Sequence, residues 1–210
     1  MSKLRIVSLS CALVAAAACG DDNGTGPELG RAEAYVADDP TTASLARAGT
    51  GPSLGTAAPA AFSGSIAGEV QVAISADGET WVDLGSPNDI TLQLQSTGTG
   101  ATVHGEVEVP VGTYAHVRLR FSGAEARLAA GSTFGAITLT AQVNVTMGGS
   151  DGEVVIEKTV APFTVTAAAR TVITVDVNAE AWLTDQSVTA QSATDAAIQG
   201  AVSLAVTSAE

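Results

Sequence analysis

The chain reads as an all-β protein, an antiparallel β-sandwich, on three observations. Apolar residues recur at every second position in short runs along most of the sequence, the period of a half-buried strand. Clusters of Gly, Pro, Asn, Asp and Ser separate those runs at the spacing of turns. The composition agrees: aromatics are 4% of residues, hydrophobics 46%, and 22 Gly sit among abundant Val, Ile, Thr and Ala. No helical period competes in the middle of the chain. About nine or ten strands are expected, with a core large enough to hold one domain.

The amino terminus has a different character. Lys3 and Arg5 precede a weakly polar to apolar run over residues 6–18, which ends in Ala16, Ala17 and Ala18. Basic, apolar and small residues in that order predict an export signal, and the run is short for a membrane span. Ala16-Ala17-Ala18-Cys19 resembles a bacterial lipobox, with Ala16 where Leu is commoner. The resemblance implies diacylglycerol on the Cys19 thiol, cleavage before it, and a mature protein held to a membrane by acyl chains. The other cysteine, Cys11, lies inside the signal, so no disulfide is expected. Gly20 rather than Asp follows Cys19, which by resemblance to lipoprotein sorting implies the outer membrane of the bacterial envelope. Residues 19–29, rich in Gly, Asp and Asn, read as a flexible tether.

The sandwich is expected over residues 30–183. Residues 31–37 read as a first strand, stopped by Asp38-Asp39-Pro40, and 41–61 as a long loop insert. Val70, Val72 and Ile74 share one face of the next strand. Residues 76–79 turn it into a return strand through Trp81, Val82 and Leu84, and Ile90, Leu92 and Leu94 alternate after that. Val103, Val107 and Val109 face one way, with His104, Glu106 and Glu108 opposite. Beyond the break at 110–113, Val117, Leu119 and Phe121 face inward, and His116, Arg118 and Arg120 outward. Ile137, Leu139, Ala141, Val143 and Val145 suggest one long strand. The turn at 147–152 leads to Val154–Ile156, Phe163 and Val165, then Ile173, Val175 and Val177. The C-terminal segment 184–210 is read as holding a final strand over Ala-rich 196–206, a stretch that also suits a helix.

Val111-Gly112-Thr113-Tyr114 resembles the strand junction of transthyretin-like and carboxypeptidase-regulatory-like sandwiches. The likeness implies an immunoglobulin/transthyretin-like fold with Gly112 and Tyr114 in structural roles. There the Tyr114 ring would pack at a crossover between sheets and its hydroxyl would bond nearby backbone. Segments 35–40, 77–84, 110–121 and 163–178, in that order, further resemble an uncharacterised domain family of prokaryotic surface lipoproteins. That family implies a tethered sandwich and carries no activity over.

The formal charge is −13, and loss of Lys3 and Arg5 makes the mature form two charges more negative. Such a surface repels phosphate backbones, so no nucleic-acid partner is expected. His104 and His116, the two histidines, lack a close-spaced ligand partner, and neither a metal nor another cofactor is expected. The acidic turns at 77–79 and 150–153 lack a calcium-binding ligand ladder. His116, Arg118 and Arg120 form a basic row that either pairs with carboxylates across the sheet or meets a ligand. Gly64-Ser65-Ile66-Ala67-Gly68 matches the nucleophile-elbow pattern, which requires a strand before the serine and a helix after it.

These residues predict a lipid-anchored envelope module with a non-enzymatic binding, adhesion or structural role. Its partners would be the membrane, through the lipid, and an envelope protein or glycan. One alternative is a glycan- or peptide-binding domain using Trp182 as an aromatic platform. Another is a serine hydrolase built on Ser65.

Overall fold

The computed structural model describes residues 28–38, 62–94, 101–149 and 152–209. Cys19, the export segment, most of the expected tether and the 41–61 insert lie outside the described residues. From the amino end the strands are β1 Leu29–Ala37, β2 Gly64–Ser75, β3 Trp81–Asp83, β4 Asn88–Leu94, β5 Ala101–Pro110 and β6 Gly112–Leu128. β7 Thr133–Phe134, β8 Ile137–Thr138, β9 Val143–Met147, β10 Val154–Val165 and β11 Arg170–Asp176 follow. Helices α1 Ala179–Trp182, α2 Asp185–Ala190 and α3 Asp195–Ala201 surround β12 Ser192–Ala193, and β13 Ser203–Ala209 ends the fold.

Alternation explains which way each strand faces. Val70, Val72 and Ile74 of β2 are fully buried, as are Val117, Leu119 and Phe121 of β6, while the residues between them form the other face. One sheet runs β13-β11-β1-β5. The second runs β12-β9-β6-β2-β3, with β10 on β6 and β4 on β2. Their inner faces share one core, in which Ile66, Phe121, Leu128 and Ile156 meet Ala34, Val36, Ile173 and Val175. Each buried Val, Leu or Ile contributes about 1.5–3 kcal/mol, so aliphatic packing compensates for the scarcity of aromatics. The molecule is an all-β sandwich.

β6 bends between two partners. Its first part pairs with β10 and its last with β9, and the register against β2 slips between Ala67 and Glu69. Gly123 takes φ +58 at this bulge, a conformation that L side chains rarely adopt. Opposite, Gly68 lies so close that a Cβ would sit 2.6 Å from the Ala124 Cα.

Three features depart from the sequence expectations. β1 runs parallel to β11 from Arg31↔Arg170 to Ala37↔Asp176, and β12 runs parallel to β9. Alternation marks which residues face inward but carries no strand direction. The expected long strand over 137–145 is broken. Leu139 donates its N–H to Ser132 O and accepts from Gly131 N–H, closing a small β7–β8 hairpin, so pairing with β6 starts only at Val143. The C-terminal segment is part of the sandwich: α3 takes 195–201, with Thr194 accepting the Ala197 N–H as its cap, and β13 pairs along all of β11.

Candidate functional site

The outer face of the second sheet is built in rungs. In β6, His116, Arg118 and Arg120 project opposite to the core residues between them. Across one flank stand Ser75, Ala73 and Gln71 of β2, and across the other Thr159, Glu157 and Val155 of β10. β3 extends two rungs, setting Trp81 beside Ser75 and Asp83 beside Ala73. The predicted basic row is therefore the spine of a mixed polar surface.

Both arginines have partners. Arg120 Nη2 lies 2.7 Å from Glu153 Oε1, a charge-assisted hydrogen bond at the mouth of β10. Arg118 Nη2 is 3.9 Å from Asp83 Oδ1, and its guanidinium carbon sits 4.4 Å from the centre of the Trp81 ring. The Trp81 contact is the closer constraint, because 3.9 Å exceeds hydrogen-bond length. All four charged side chains are substantially exposed, so each ion pair adds about 0–1 kcal/mol to stability. Gln71 donates Nε2 to Gly85 O at 3.4 Å, and Thr159 Oγ1 lies 3.3 Å from His116 Nδ1. Gln71, Ala73, Asp83, Arg118, Arg120, Glu153 and Val155 line an open basin of ≈ 290 Å³.

A capped turn walls this face. Asp77 Oδ1 accepts the Thr80 and Glu79 N–H groups at 2.8 and 2.9 Å and the Ser75 hydroxyl at 3.0 Å. Those bonds favour the carboxylate and hold its pKa down to about 2. Ordinary turn chemistry thus occupies one of the acidic turns; Ser150 and Asp151 of the other lie outside the described residues.

Other expected residues sit elsewhere. Trp182 is corrected from a free aromatic platform to a core residue. It is 1% exposed, and its indole N–H donates to Val177 O at 3.0 Å. His104 is corrected from the solvent face to the interior, at 6% exposure. Its Nε2 accepts the Val72 N–H at 3.1 Å, so a side chain of the first sheet satisfies backbone of the second. Burial lowers its pKa, partly opposed by Asp83. The two histidines stand on different sheets, and no group of three or more metal-ligating residues occurs among the described residues. Ser65 lies inside β2, paired with Gln93 on one side and Arg127 on the other, and the strand runs on to Ser75. Ser65 therefore does not stand on a strand-to-helix elbow.

Tyr114 is buried, donates its hydroxyl to Pro110 O at 2.7 Å, and stacks on Phe163 at 5.9 Å. Burial raises its pKa. The Gly112 Cα faces this ring: a Cβ there would lie 3.8 Å from Tyr114 Cε2. Trp81, Asp83, Glu153, Gln71 and Val155 were missed as site residues. Gln71 was legible as outward by alternation, but only strand order brings these residues beside Arg118 and Arg120.

Residues 64–192 match the family described as a domain of unknown function, DUF4382. No curated protein and no solved structure matches the chain. The matched span contains every residue of the basin and leaves out β1 and β13.

Proposed function

We propose, from the premise that the chain belongs to the DUF4382 family, a domain of unknown function, that it is a non-enzymatic binding module of the bacterial envelope. Lipid on Cys19 would hold it, by the lipobox-like residues 16–19, to the outer membrane. The basin over β6 would be its contact surface. The observation that carries the binding role is the ladder of paired charges beside Val155, set on a rigid sheet and open to solvent. Pairing and stacking hold these side chains in place, so little ordering remains for a ligand to impose. The Tyr114–Pro110 bond supports a likeness to transthyretin-like sandwiches.

Leu29 starts β1 beside Pro110, so the tether would attach at that end of the sandwich. At full extension the 19–29 segment reaches about 35–40 Å, which lets the basin stand clear of lipid headgroups. No helix among the described residues is long and apolar enough to cross a membrane.

Two measurements test this reading. Cells fed radiolabelled palmitate should label the wild-type chain and not Cys19→Ala; equal labelling ends the anchor reading. The purified chain should adsorb to native envelope fragments, and the double variant Arg118→Gln/Arg120→Gln should adsorb less while thermal unfolding shows it still folded. Equal adsorption would move the contact surface elsewhere.

A further inference from the structure

We infer that the β6 basin takes a neutral, polyhydroxylated ligand, a saccharide, an assignment that rests on the binding-module reading above. Charge balance is the first argument. The charged residues that line the basin, Arg118 and Arg120 with Asp83 and Glu153, cancel in formal charge within a chain of −13, and Glu157, across from Arg118 on β10, adds one negative charge at the rim. An anion would have to displace carboxylates against the field of the whole chain, and a cation would have to displace the arginines. An uncharged ligand escapes both costs.

The donor and acceptor inventory is the second argument. A sugar hydroxyl both donates and accepts, so neighbouring hydroxyls can donate to a carboxylate and accept from a guanidinium. Arg118 is suited to this exchange: Trp81 holds it by stacking while Asp83 stays beyond hydrogen-bond length, leaving N–H donors for a hydroxyl. The Gln71 amide adds both kinds of group. The basin also offers an apolar contact. Val155, 39% exposed, and Leu29 are the large hydrophobic side chains left exposed among the described residues, and Val155 lines this basin on β10, across β6 from the buried Ala73. Val155 offers an apolar contact to the C–H face of a pyranose, and the open side of the basin leaves room for a chain that continues past it.

The test is calorimetric titration of the full chain with neutral oligosaccharides of glucose, xylose, mannose and N-acetylglucosamine, beside an oligogalacturonate and an Asp/Glu-rich peptide. At least one neutral oligosaccharide should bind with a Kd on the order of 1 mM. Because no net charge is exchanged, raising the salt should leave that Kd nearly unchanged. Arg120→Gln and Glu153→Gln should each weaken binding about tenfold, the scale of one hydrogen bond to a charged group. Val155→Asn should weaken it several-fold, and thermal unfolding of each variant should show a folded protein.

No binding by any neutral oligosaccharide, or binding that ignores all three substitutions, overturns the assignment. Salt-sensitive binding of only the oligogalacturonate or the peptide also overturns it. If Arg118→Gln/Arg120→Gln abolishes that binding, the binding module stands and only the saccharide fails.

Discussion

The two sheets share one alternating pattern but are assembled differently. In the second sheet β2 folds back through a short capped turn onto β3, then receives β4, and pairs with β6 along nearly its whole length. In the first sheet β11 lies between β13 and β1, and β1 between β11 and β5, so both pairings of β1 join strands from distant parts of the chain. Loop closure is cheaper for near partners, so the second sheet can form from local contacts while the first waits for its ends to meet. The candidate site sits on the second sheet, and its rungs need only β2, β3, β6 and β10, with no contribution from β1.

Substitutions can break this contrast. The largest effect is expected in the shared core, where Phe121→Ala in the second sheet should cost about 3–5 kcal/mol and Ile173→Ala in the first about 2–5 kcal/mol. The kinetics should separate them. Chevron analysis is expected to show Phe121→Ala slowing folding, and Ile173→Ala mainly speeding unfolding. The reverse partition would mean that the distant pairings form first.

Next comes the bulge. Gly68→Val forces a side chain toward the Ala124 backbone, and urea unfolding should show a loss of about 1–3 kcal/mol. Tyr114→Phe acts where β5 of one sheet passes to β6 of the other, removing the bond to Pro110 O. A loss of about 1 kcal/mol is expected by thermal unfolding, with the stacking on Phe163 retained.

His104 ties the sheets together through Val72, and that tie is pH-dependent. Its folded pKa lies below the ordinary 6.5, so the unfolded chain binds the proton more readily. The contribution is complete above 6.5 and is lost as pH falls through the folded value, because imidazolium cannot accept the Val72 N–H. Tm against pH should decline on that side, and His104→Gln should flatten the slope. The smallest effect is expected at the exposed Arg120–Glu153 pair, where Arg120→Gln should change stability by about 0–1 kcal/mol. A larger loss there would assign the arginine to the fold rather than to a ligand.

The inward sets of β2, β4 and β6 were legible because burial on one face imposes period 2, and the outward His116–Arg118–Arg120 row follows from the same rule. Trp182 and His104 were misplaced for a common reason. Each combines a ring surface with few polar atoms, and such a residue suits the interior once backbone meets them, as Val177 O meets the Trp182 indole N–H and Val72 N–H meets His104 Nε2. Sequence patterns do not record which backbone groups will be left over.

Residue order by itself determined an all-β chain, the facing of most strands, the turns and a lipobox-like start. Tertiary structure alone decided that β1 enters between β11 and β5, that it runs parallel to β11, and that Trp81, Asp83 and Glu153 meet Arg118 and Arg120. Alternation is a local consequence of covering one face, whereas strand order and direction depend on how the whole set of apolar faces closes into one core.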